Sequence, residues 1–158
     1  MSEIEQMEEV EKVAKGDTHA EPPPKAFVAV TPQQLEQTWA LVKDDLAKVD
    51  NPDETPLEEI YFMLKTNQAT LFLLYVKGEY IGFAVVRLIL PDLHLWLVHA
   101  KNGFECLKVF RPEIMQLARN ANAKMVTFGS RRRAWQEVSK DHGFNVRAIM
   151  YQCPVDKA

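Results

Sequence analysis

The chain has 158 residues, 47% of them hydrophobic, two cysteines and a formal net charge of −3 at pH 7. That length predicts one domain able to bury roughly 70% of its unfolded surface. The acidic balance gives no general pull toward nucleic acid or anionic membrane, and no apolar run reaches the ~18 residues of a membrane span. Cys106 and Cys153 match no metal spacing and read as reduced thiols or small buried residues. The N-terminus is acidic and lacks the apolar core of a signal peptide. These features place the protein in the cytoplasm of the cell that produces it, or in a virion assembled there.

Residues 1–25 stand apart from the domain at 26–158. They carry seven acidic side chains against Lys12, Lys15 and Lys25, and run through Pro22-Pro23-Pro24. This reads either as a solvated acidic tail with a stiff spacer or as a docking helix. In the second reading Ile4, Met7, Val10 and Val13 form the apolar stripe.

Phe27 to Val30 is the first strand. Thr31-Pro32-Gln33-Gln34 then predicts a helix start, with Thr31 as N-cap, Pro32 at the first helical position and Gln34 closing a capping box. Leu35, Trp39, Val42 and Leu46 supply its buried stripe. Asn51-Pro52-Asp53-Glu54 is a turn, and Thr55-Pro56-Leu57-Glu58 repeats the capping grammar before Ile60, Tyr61 and Leu64. Thr70 to Val76 and Tyr80 to Leu90 are strands joined by a Lys77-Gly78-Glu79 hairpin turn, and Gly82 marks a bulge or a close backbone approach. After Pro91-Asp92 a third strand runs from Leu93 to His99. Cys106 to Asn122 reads as a helix that Pro112 either kinks or starts. Lys124 to Phe128 is a short strand. Arg131 to His142 is an amphipathic helix with Trp135 and Val138 inward and Gly143 as a left-handed cap, and Asn145 to Cys153 is a last strand. The order β-α-α-β-β-β-α-β-α-β predicts an α/β (α+β) domain with a mixed sheet flanked by helices. Trp39, Trp96 and Trp135 lie in apolar periodic stretches and read as core.

Four segments resemble the GNAT superfamily, the Gcn5-related N-acetyltransferases, over about residues 27–153. They are the Leu71–Ala84 hairpin with its Lys77-Gly78-Glu79 turn, the apolar strand ending at His99, and the Lys124–Phe128 strand after Leu117-Ala118-Arg119-Asn120-Ala121. The fourth is Arg132-Arg133-Ala134-Trp135 with Gly143-Phe144 beyond it. The Arg-Arg-x-Trp run before Gly-Phe is similar to GNAT-like proteins encoded by tailed phages. The resemblance implies acetyl-CoA as cofactor if the chain is active.

Two departures bear on that chemistry. Members of the family usually carry a glycine-rich loop after the third meander strand, where backbone N–H groups and a helix N-terminus meet the cofactor pyrophosphate. Here Ala100-Lys101-Asn102-Gly103-Phe104-Glu105 offers one glycine. Many members also place a tyrosine four residues before the Gly of Gly-Phe, as acid for the leaving thiolate; this chain has Ser139, a far poorer proton donor.

The resemblance makes His94 and His99 candidate bases for an acceptor amine, with half-exposed structural histidines as the plain alternative. Their i, i+5 spacing predicts opposite strand faces and no shared metal. Lys101, Asn102, Gly103 and Phe104 form either an anion-binding loop or a surface turn. Arg131, Arg132 and Arg133 suit phosphate, a partner's carboxylates or the chain's own acidic tail. Adjacent acids such as Asp44-Asp45 do not share a helix face and make no catalytic dyad.

Three functions fit. The first is a non-catalytic GNAT-fold binding or assembly protein of phage type, in a virion or its morphogenesis, with a degenerate cofactor site and no cofactor. The second is a divergent acetyl-CoA-dependent N-acetyltransferase using His94, His99 and Ser139. The third is a small regulator that binds a host protein or, less in keeping with the net charge, nucleic acid. Expected partners are a protein bound through residues 1–25 or Arg131–Arg133, or further copies of the chain, and not a membrane.

Overall fold

A computed structural model describes residues 25–101 and 105–155. Strand β1 (Lys25–Val30) leads to helices α1 (Leu35–Leu46) and α2 (Leu57–Lys65), then to β2 (Thr70–Val76), β3 (Glu79–Ile89) and β4 (Asp92–Ala100). A one-turn helix α3 (Cys106–Val109), helix α4 (Arg111–Asn120), strand β5 (Met125–Phe128) and helix α5 (Trp135–Asp141) follow. The sheet order is β1-β2-β3-β4-β5. The first three pairings are antiparallel and β4–β5 is parallel, as a meander followed by a helical crossover requires. No helix among the described residues is long and apolar enough to cross a membrane.

Each face of the sheet buries its own core. On one, Leu35, Val42 and Leu46 of α1 and Ile60 and Leu64 of α2 pack on Leu71, Leu73, Phe83 and Val85. On the other, Leu107, Phe110, Ile114 and Ala118 pack on Phe72, Leu74, Ala84 and Leu95. Phe83, Phe110 and Val42 are fully buried, which stabilises the fold by roughly 1.5–3 kcal/mol each. Phe27 stacks on Phe72 at 4.4 Å. Lys25 Nζ donates to the Val109 carbonyl at 2.7 Å and pairs with Glu113 at 3.1 Å, so β1 satisfies a carbonyl that the short α3 leaves open.

Two bulges set the register. Leu74 faces Gly82 while Tyr75 faces Tyr80, so Ile81 is extra in β3. Val85 faces Leu97 while Val86 faces Leu95, so Trp96 is extra in β4. The hairpin turn at Lys77-Gly78 has positive φ at both residues (52° and 78°), the backbone that matches strand twist in tight hairpins. A Cβ on Gly82 would collide with the His99 carbonyl oxygen and lie 2.9 Å from Ala100 Cα; bulge and close approach therefore coincide there.

Three expectations change and one alternative is settled. Asn145 to Cys153 forms no strand and lies exposed; among the described residues none makes a ladder with it. Of the two readings of 106–122, the one in which Pro112 marks a helix start holds: Pro112 sits in the first turn of α4, and a separate turn, α3, precedes it through Phe110. Thr55 makes no cap, and no side chain caps α2; Asn51 instead brackets the Thr55 backbone ahead of the helix, donating Nδ2 to its carbonyl at 3.0 Å and accepting from its N–H at 3.4 Å. On α5 the inward residue beside Trp135 is Ser139, while Val138 is exposed.

Candidate functional site

The parallel ladder between β4 and β5 ends at Leu95 and Phe128, yet β4 continues for five residues to Ala100. β5 itself ends at Phe128, and among the described residues no strand pairs with Trp96–Ala100 on that side. The Trp96 bulge falls where that ladder stops.

That bulge also corrects the histidine geometry. Leu93 and Leu95 pack toward α4, and so do Val98 and Ala100. The extra residue between them reverses the alternation, so His94 and His99 both turn toward α1 and α2. They stand roughly 16 Å apart along the strand and share no metal. His94 Nδ1 lies 2.9 Å from Thr127 Oγ1. Burial pushes its pKa below the ordinary 6.5; Asp53 opposes this and Arg87 adds to it. His94 is therefore neutral at pH 7 and fixed by β5.

His99 sits differently. Its Nε2 is 3.5 Å from Asp45 Oδ2 on α1, and its ring lies 5.4 Å from Phe83. Tyr80 is close by: burial first, then Asp45 and Tyr75, push its hydroxyl up to about 12, so it remains a protonated donor at neutral pH. Lys101 Nζ lies 5.1 Å over the Tyr80 ring, a cation–π contact. Asp45, His99, Tyr80 and Lys101 thus make a polar cluster at the open end of β4. Asp45 and Tyr80 were not legible as partners of His99, because only the packing of α1 against β3 and β4 brings them together. Asn102, Gly103 and Phe104 lie outside the described residues, as do residues 1–24.

Ser139 is 5% exposed and its Oγ is buried without a hydrogen-bond partner. The α5 terminus holds it there: Phe144 N–H donates to the Ser139 carbonyl at 2.9 Å and Gly143 N–H to the Lys140 carbonyl at 3.1 Å, with Gly143 at φ +82°. This is a Schellman closure, and Phe144 completes it against Phe128.

The three arginines differ in their contacts. Arg131 donates to Glu54 at 3.0 Å and to the Asn51 carbonyl at 3.1 Å, and Ser130 bonds Asp50; the β5–α5 loop is thereby tied to the α1–α2 turn. Arg132 and Arg133 are exposed. Arg147 pairs with Asp92 instead. Cys106 is buried and its thiol is pushed up to about 12, which makes it unreactive.

A thiolate leaving group needs a donor it can touch. Ser139 Oγ is closed to solvent, and the first helix after β4 has a single turn, Cys106–Val109. As placed here, the Ser139 hydroxyl is not positioned to reach a leaving thiolate.

No family model matches the sequence, and no curated protein matches it. Solved structures do match in fold. A ribosomal-protein-alanine N-acetyltransferase from Brucella melitensis biovar Abortus 2308 superposes with a TM-score of 0.56 at 10% identity, over 85% of this chain and 99% of that one. The aminoglycoside acetyltransferase meta-AAC0020 from an uncultured soil metagenomic sample, in complex with sisomicin, gives 0.60 at 7% identity over 84% and 97%. A predicted acetyltransferase from Clostridium acetobutylicum, solved with acetyl-CoA, gives 0.56 at 10% identity over 82% and 96%. The likeness is one of fold: the chain has the mixed-sheet architecture of the GNAT acetyltransferases.

Proposed function

We propose that this chain is a GNAT-fold protein with a degenerate acetyl-CoA site. It serves as a binding or assembly protein of the kind its resemblance to tailed-phage proteins implies, in a virion or its morphogenesis. The observation that carries this is Ser139. It occupies the position where the family pattern places the acid for the leaving thiolate, and its hydroxyl touches neither solvent nor a polar partner. The split of the helix after β4 supports the same reading. The Arg131–Arg133 route to a regulator loses one of its three cations to Glu54.

A divergent N-acetyltransferase is the second reading, favoured by the open β4 edge and by the His99–Asp45 pair. In that case His99 Nε2, oriented by Asp45, takes the proton from an acceptor amine, and the Tyr80 hydroxyl, buried without a hydrogen-bond partner as Ser139 Oγ is, donates only once the site opens. Thiol release from acetyl-CoA, followed across polyamines, aminoglycosides and peptide N-termini, separates the two. Background rates with every acceptor support the binding protein. Turnover that His99→Ala lowers by about 100-fold or more would replace it with the enzyme.

A further inference from the structure

A cavity of about 450 Å³ lies between α1 and α2, lined by Glu36, Trp39, Leu57, Glu58 and Tyr61. Helical spacing explains the lining. Leu35, Val42 and Leu46 of α1, with Ile60 and Leu64 of α2, turn to the sheet. That leaves Glu36 and Trp39, three residues apart, on the flank of α1 that meets Leu57, Glu58 and Tyr61. Trp39 reads as core from its spacing, yet it and Tyr61 are only partly buried against that core. Their rings stand 4.8 Å apart at 77° and form two nearly perpendicular aromatic walls. The core behind them holds both side chains, so the corner exists before anything enters it.

The chemistry of the lining selects a cation. Glu36 and Glu58 are exposed, and among the described residues neither has an ion-pair partner. Two carboxylates and the negative faces of two rings attract the same sign of charge and repel an anion. Within the cavity the walls are rings and Leu57, with the Tyr61 hydroxyl as a single polar atom. A primary ammonium would leave its water for too few acceptors there; a methylated head, apolar on its outside, loses far less. The volume falls within the range of small-molecule sites, roughly 300–1,000 Å³. Five lining residues are far fewer than the roughly 20–30 a side of a stable protein interface. Asp45, the partner of His99, lies on the opposite side of α1 from Glu36 and about 14 Å further along its axis. The cavity is therefore separate from the polar cluster at the end of β4 and independent of whether acetyl-CoA binds.

We propose that the α1–α2 cavity binds a small methylated ammonium ion. The head rests against the faces of Trp39 and Tyr61, Glu36 and Glu58 balance its charge, and Leu57 packs on its carbon chain.

Choline is the probe, titrated into the full chain and followed by the indole N–H resonances in proton–nitrogen correlation spectra. Trp39→Phe assigns the Trp39 signal. A saturable shift at Trp39 is expected, with none at Trp96 or Trp135. The uncharged tert-butyl isostere of choline, and ethanolamine, which keeps the charge and lacks the methyls, should each bind at least about tenfold more weakly. Glu36→Gln/Glu58→Gln should also weaken choline about tenfold, whereas Glu59→Gln, on the same turn of α2 but outside the cavity, should change it less than about twofold. All three glutamates are exposed, so thermal melts of these variants should match the wild type. No saturable shift at Trp39 up to about 50 mM choline would overturn the proposal. So would equal shifts at all three indoles, an isostere or ethanolamine that binds as tightly as choline, or a folded double variant that keeps full affinity.

Discussion

Gly82 shows how a single missing side chain sets the architecture. It sits where the β3 bulge brings backbone onto backbone, and a methyl group there meets the His99 carbonyl. Gly82→Ala should cost about 2–3 kcal/mol, read from urea unfolding, and should disturb the His99 cluster as well. The cysteines give a second check. Cys106 is buried with its thiol pushed up to about 12, while Cys153 is exposed. A thiol reagent at pH 8 should therefore titrate one thiol in the native protein and two in denaturant.

His94 predicts a pH effect whose sign follows from burial. Its folded pKa lies below the unfolded 6.5, so in that window the unfolded chain holds the additional proton. Stability is greatest above pH 6.5 and falls as pH drops through 6.5 toward the folded value. His94→Gln, which keeps a polar side chain facing Thr127, should flatten that fall. The comparison is the difference in urea midpoint between pH 7.5 and pH 5 for variant and wild type.

Among the elements, helix starts separate a signal from its look-alike. Thr31 and Gln34 exchange both capping bonds, Gln34 N–H to Thr31 Oγ1 at 3.2 Å and Thr31 N–H to Gln34 Oε1 at 3.0 Å. Thr55 makes no such bond. Thr31→Ala should cost about 1 kcal/mol and Thr55→Ala under about 0.5 kcal/mol, measured by the same unfolding curves. Thr-Pro-x-Glu and Thr-Pro-x-Gln look alike in sequence; the difference is that Asn51 ties up the Thr55 backbone while no side chain caps the second start. Pro112 behaved similarly. Its fixed φ marks a first turn, but sequence alone could not show that Cys106 to Val109 would close a separate turn ahead of it.

For the molecule as a whole, the sheet and its two cores were legible because alternation and helical spacing are local and strong. Leu35, Val42, Leu71, Phe83 and Leu95 all fall where their periods place them. The site was less legible. One extra residue at Trp96 turns His94 and His99 onto the same face, and a bulge leaves no mark in the hydrophobic pattern of an all-apolar strand. The His99–Asp45 contact joins residues 54 positions apart, and Ser139 is buried by a helix cap rather than by its own polarity. The last strand was read from composition that is real; among the described residues it has no ladder partner.

The degenerate-site reading makes its sharpest statement about cofactor binding. Acetyl-CoA titrated calorimetrically into the full chain should give no saturable heat up to millimolar concentration, since the thiolate donor is buried and the helix behind the loop is one turn long. A single site with micromolar affinity, weakened by substitutions along the open β4 edge, would contradict it and restore the cofactor to this fold.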